Sequence, residues 1–226
     1  MLGRVGYRSL AELLAAEPLA PEFPATAELI RRLRHVRRAG EFSRAEFVQM
    51  CRWKSARALP LYRRHRAERI RRLSRAVLAT RSEPRRIELL IALSGVSVPV
   101  ASAILTLIDP RRYGVLDIRV WQLLWALGAV DRRPGGRGFS VADWLHYLTT
   151  LRGHARRLGV SVRAVELTLF EIHRRAQRGR LYDPVRGPDG RRRSADESAV
   201  SPPRTPYRGE RSLPPTSIRP ARPGRA

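Results

Sequence analysis

Cysteine is almost absent from this chain: Cys51 stands alone in 226 residues. A single thiol excludes an intrachain disulfide framework, a cysteine-held zinc site and a four-cysteine iron–sulfur cluster. It also fits a reducing compartment, so a cytoplasmic location is expected. Lysine is equally scarce. Lys54 is the one lysine among 45 basic residues, so the other 44 are arginine. Acidic residues number 20, which leaves a formal charge of +25 and a pI near 11.8. A GC-rich coding composition accounts for part of the preference for arginine over lysine, but not for the excess of bases over acids. Such a field opposes compaction and attracts polyanions. Nucleic acid is the leading partner class, and an acidic substrate held by general charge is the weaker alternative.

Long apolar runs are nearly missing as well. Residues Met1 to Leu10 contain no basic stretch leading into a sustained apolar core, so no secretory leader is expected. Leu89 to Ile108 is free of charge and long enough to cross a bilayer. However, it holds Ser94, Gly95, Ser97, Pro99, Ser102 and Thr106, and its middle reads as a turn between two short buried helices. No membrane partner is expected.

Hydrophobic residues make up 43% of the chain, enough for one ordinary core. The pattern is helical throughout, with no sustained period-two alternation. A short amphipathic start spans Ser9 to Glu17, and Pro18, Pro21 and Pro24 form a connector. Thr26 to Arg38 reads as one helix closed by Gly40. Ser43 and Glu46 form a capping box, and Ser55 to His65 is a segment interrupted by Pro60. Arg66 to Thr80 is the clearest amphipathic helix, with Ile70, Leu73, Val77 and Leu78 at i, i+3, i+7 and i+8. Its arginine face is either simply solvated or a phosphate track.

Ser82 and Pro84 start the next helix, predicted to run to Ser94. Ile118 to Leu127 is apolar nearly all round and is expected at the centre of the bundle, with Trp121, Trp125 and Trp144 as core. Ser140 with Asp143 starts a helix to about Leu158, and Ser161 starts the last one, to about Arg178. Residues 179–226 carry nine of the 17 prolines, eleven arginines and almost no aliphatic pattern. They are expected to be a disordered basic tail. The fold class expected is therefore all-α, a single helical domain over residues 1–178 followed by that tail.

The chemistry-bearing stretch is Gly95 to Leu105 followed by Val115 to Val120. A helix stops at glycine, turns within a few residues, and a second helix starts with Pro99 in its first turn. Amides at such a helix start can receive a phosphate oxygen. Pro99 cannot donate, which leaves Gly95, Ser97, Val100 or Ala101 as donors. Small uncharged side chains would let a DNA backbone come close. Asp117 follows at another helix start, where the dipole and amide bonds keep a carboxylate ionised.

Together, Gly95-Val96-Ser97, the Ala101 to Leu105 helix and the Val115-Leu116-Asp117-Ile118-Arg119-Val120 strip resemble the helix-hairpin-helix DNA glycosylases, in particular the endonuclease III and adenine-removing members. The resemblance covers roughly residues 85–128, with weaker similarity at Trp53-Lys54-Ser55 and in the last helix. It implies a DNA-bound hairpin (Gly95, Val96, Ser97, Val98, Val100, Ala101) and a flipped nucleotide. It also implies Asp117 as the carboxylate that stabilises positive charge on the sugar and orients water. Pro99 stands where the strand-nicking members carry a lysine, so a lyase reaction from that position is excluded. Ser97 replaces the second hairpin glycine. The plain alternatives are that Asp117 only caps a helix, that the hairpin docks DNA without chemistry, or that this is a basic RNA-associated helical protein.

Other residues remain two-sided at this level. Lys54 would grip a phosphate and Trp53 line a base pocket, but the favoured reading makes Trp53 core and Lys54 a solvated head at a helix end. Tyr113 could stack on a base and more readily packs. Arg119 pairs with Asp117 or with a phosphate. Glu88, Glu166 and Glu171 are general-acid candidates that spacing does not separate. The histidines have no metal-ligand spacing, so no metal or other cofactor is expected.

Overall fold

A computed structural model describes residues 6–178 and Leu181. All of these belong to a first unit, Met1–Asp183, while Pro184–Ala226 forms a second unit outside the described residues. The tail expected over 179–226 lies almost entirely in that undescribed part.

The described residues form eleven α-helices and no strand. They are α1 (Leu10–Ala16), α2 (Pro24–Leu33), α3 (His35–Ala39), α4 (Arg44–Lys54), α5 (Leu59–Arg63), α6 (Ala67–Ala79), α7 (Glu83–Ile91), α8 (Val98–Ile108), α9 (Ile118–Ala126), α10 (Val141–Leu158) and α11 (Val162–Ala176). The caps legible in the sequence are present. Ser43 with Glu46 and Ser140 with Asp143 make complete capping boxes, and Ser9, Ser82, Asp117 and Ser161 each accept an amide of the first turn.

Four expectations need correction. The helix expected over Thr26 to Arg38 starts earlier, on Pro24, and breaks at Arg34 into α2 and α3; Gly40 then closes α3 at φ 68°. Pro60 does not interrupt a helix but starts α5, because a first-turn residue needs no amide hydrogen. The helix before the turn ends at Ile91, not Ser94.

The central helix is α8 rather than α9. Ten of its eleven residues are buried, and α2, α4, α7 and α10 all pack on it. In α9 only Val120, Trp121, Leu123 and Leu124 are buried, and Trp125 is 45% exposed. Trp121 and Trp144 are core as expected. Local hydrophobicity ranks both helices as buried; only the packing of four neighbours decides which is enclosed.

An enclosed α8 must satisfy its own hydroxyls. Thr106 Oγ1 donates to the Ser102 carbonyl (2.8 Å) and Ser102 Oγ to the Pro99 carbonyl (2.8 Å). Each fully buried Leu or Ile here contributes roughly 1.5–3 kcal/mol over exposure. The two apolar pieces of Leu89 to Ile108 are thus two helices separated by a turn, and no helix among the described residues is long and apolar enough to cross a membrane.

Candidate functional site

The turn between α7 and α8 is built around Gly95. Its φ is +88°, and a Cβ there would lie 3.0–3.2 Å from Leu61, Tyr62 and Ala58, so both conformation and space demand glycine. Val96, Val98, Val100 and Ala101 turn their side chains into the core, whereas Ser94 and Ser97 are exposed. Among the described residues the amides of Ser97, Val98 and Val100 carry no hydrogen bond. The amide of Val96 is taken by the Leu93 carbonyl and that of Ala101 by Ser97. Val96 and Ala101 therefore have neither a free amide nor an exposed side chain for a ligand, which corrects their place among the expected DNA contacts. Ser97 Oγ makes no cap bond.

The aspartate strip is fastened to this turn through one hydroxyl. Ser102 Oγ accepts from the Leu116 amide (2.9 Å) while donating to Pro99 in the first turn of α8. Asp117, the next residue, caps α9 with extended backbone, and its Oδ1 accepts from the Arg119 amide (2.9 Å). Its Oδ2 receives Lys54 Nζ at 2.6 Å, and both side chains keep 17% of their surface in solvent. Burial alone would raise the Asp117 pKa; the Lys54 ammonium and the Arg119 amide outweigh it and hold the carboxyl below its ordinary value.

Lys54 is therefore not a solvated head. It is the last residue of α4, carried by the packing of α4 on α8 across to the start of α9. A lone lysine against 44 arginines was the signal in the sequence, but nothing in the sequence named its partner.

Around this pair lies a layer of buried charge that the sequence reading missed. Glu166 on α11 is 1% exposed and ion-paired to Arg163, which also grips Glu22 at 2.7 and 2.9 Å. Burial raises the Glu166 pKa, the Arg163 guanidinium lowers it, and the negative charge of Asp117 adds to the rise; the net direction is upward. Arg163 lies over the Trp53 ring, 5.6 Å from its centroid, while Trp53 Nε1 donates to Thr26 Oγ1 (3.1 Å). Trp53 is thus a half-buried strut between α2 and α11, with its indole hydrogen and one ring face in use. The missed signal was charge inside an apolar stripe: Arg163 and Glu166 alternate with Val162, Val165 and Leu169 on the buried face of α11.

Arg119 sends its guanidinium to Gln177 and over the Phe170 ring rather than to the Asp117 side chain. His173, fully buried, sets Nε2 3.0 Å from Gln122 Oε1 and leaves Nδ1 without a partner. Burial, then the Arg119 charge, push its pKa down to about 4.

Tyr113 packs, as the favoured reading had it, and does not line a base pocket. It is 3% exposed, stacked on Trp144, with Arg112 and Arg152 over its ring and its hydroxyl on Glu83 (2.8 Å); no face is left for a base. Of the general-acid candidates, Glu88 is exposed beside Arg85 and Glu171 pairs with Arg174. Glu166 is the one whose field couples to Asp117. No cluster of His, Cys, Asp or Glu among the described residues is placed to hold a metal ion. Compared with protein-family models, curated proteins and solved structures, the chain matches none.

Proposed function

We propose that this chain binds duplex DNA and hydrolyses an N-glycosidic bond, with Asp117 as the working carboxylate. The C1′–N bond breaks, water adds its oxygen to C1′, and the base leaves with a proton. A carboxylate held ionised next to C1′ stabilises the positive sugar and orients the water. The observation that carries the reading is the join made by Ser102. It holds the Asp117 strip against the first turn of α8, where the amides of Ser97, Val98 and Val100 are free to receive a backbone phosphate.

A second reading, DNA docking without chemistry, is favoured by one fact: both Asp117 oxygens are already engaged, by Lys54 and by the Arg119 amide. The catalytic reading requires Lys54 to release Oδ2 when a flipped nucleotide enters.

The test is release of free base from a panel of damaged duplexes. Catalysis predicts release by the unaltered protein and a loss of at least about 100-fold in Asp117→Asn, the scale of removing one electrostatic stabiliser. Asparagine keeps the cap but gives up the Lys54 ion pair, so a cooperative melt lowered by no more than about 4–8 °C, the loss expected of that pair, separates chemistry from unfolding. Salt-dependent duplex binding with no release from any lesion supports docking alone. Equal or tighter binding to RNA overturns both readings.

A further inference from the structure

Away from Asp117, the loop after α8 and the end of α10 border an open hollow of about 580 Å3 whose wall includes Arg111, Arg112, Arg152 and Arg156 and no acidic residue. Glu83, beside it, is shared: Arg112 Nη2 lies at 3.1 Å, Arg152 Nη2 at 2.8 Å and Arg86 Nε at 3.6 Å, and the Asp109 carboxylate also acts on Arg112. Arg111 and Arg156 have no acidic partner among the described residues. Arg112 and Arg152 thus share one glutamate, which Arg86 also approaches, and the other two arginines of the wall have none. By contrast, Arg31 with Glu28, Arg75 with Glu41 and Arg174 with Glu171 are single surface pairs.

Two of these cations, Arg112 and Arg152, are also held in place. Arg152 Nε donates to the Arg112 carbonyl (2.9 Å), and both guanidiniums lie over the Tyr113 ring, at 5.2 and 5.5 Å. The loop itself is tied down, because the first amides of α11, Val162 and Arg163, donate to the carbonyls of Arg111 and Pro110. Like charges gathered on fixed side chains repel one another, and an anion entering the hollow would relieve that repulsion. Pre-set guanidiniums lose little freedom when they take a phosphate in a two-pronged grip. The volume exceeds what one small anion needs.

We infer that this hollow is a second anchor for the DNA backbone, taking consecutive phosphodiesters at Arg111, Arg152 and Arg156, separate from the α7–α8 turn. The inference rests on the DNA reading above and adds the part of the surface that holds the flanking duplex.

The experiment is a salt titration of binding to a labelled undamaged duplex by fluorescence anisotropy. Arg111→Ala with Arg156→Ala removes two exposed side chains that hold no acid. Losing two phosphate contacts lowers the slope of log K against log salt by about 1.8 and weakens binding at low salt. A control, Arg31→Ala with Arg174→Ala, removes the same charge from two helix faces and leaves the slope near the parent value. Melting curves confirm that both variants fold. An unchanged slope in the Arg111/Arg156 variant overturns the anchor while leaving the DNA reading standing, and so does an equal drop in the control. Failure of the parent protein to bind duplex, or preference for an RNA of equal length, overturns both.

Discussion

Replacing Lys54 by Met removes the ammonium 2.6 Å from Asp117 while keeping most of the apolar stem. The pair is neither exposed nor sealed, with 17% of each side chain open. Exposed pairs contribute about 0–1 kcal/mol, and breaking a sealed pair costs about 3–5 kcal/mol. The Arg119 amide still holds Oδ1, so Asp117 is not left wholly unpaired. We therefore expect a loss of about 2 kcal/mol. At roughly 2–4 °C per kcal/mol for a unit of this size, the melting temperature falls by about 4–8 °C.

The pH dependence fixes the cause. Asp117 has a depressed pKa in the folded state, so its contribution is fully present above its ordinary value, 3.8, and is lost as pH falls through the lower folded value. Lys54→Met should flatten stability against pH in that acidic window and nowhere else. A double-mutant cycle of Lys54→Met with Asp117→Asn, measured by urea denaturation, isolates the pair. A coupling energy below about 0.5 kcal/mol, the scatter expected of independent sites, would refute the reasoning.

Two further outcomes follow from the same geometry. Gly95→Ala should destabilise by about 2–5 kcal/mol in urea, because it adds left-handed strain of about 1–2 kcal/mol to overpacking of about 1–3 kcal/mol against Leu61, Tyr62 and Ala58. A loss below about 1 kcal/mol would mean that the α5 contact yields. His173, whose pKa falls from an ordinary 6.5 to about 4, binds fewer protons folded than unfolded. Stability should then be lost as pH drops from 6.5 toward 4, by up to roughly 3 kcal/mol at about 1.4 kcal/mol per unit. His173→Gln should remove that slope, and an imidazole resonance titrating near 6.5 in the folded protein would contradict it.

The sequence by itself determined what depends on near neighbours along the chain. Caps at Ser43, Ser82, Ser140 and Ser161 need a hydroxyl two or three residues ahead of an amide, and the all-helical class needs only the apolar period. Gly95 and Pro99 marked the turn because a left-handed bend favours glycine and a helix's first turn tolerates a residue without an amide hydrogen, although the helix itself stops earlier, at Ile91. Tertiary structure alone decided that Lys54 meets Asp117 across 63 positions, that Arg163 links Glu22 to Glu166 across 141, and that α8 rather than α9 is enclosed. Such partners are chosen by how helices pack in space. A charged residue within an apolar stripe announces that it needs a partner, but does not say which.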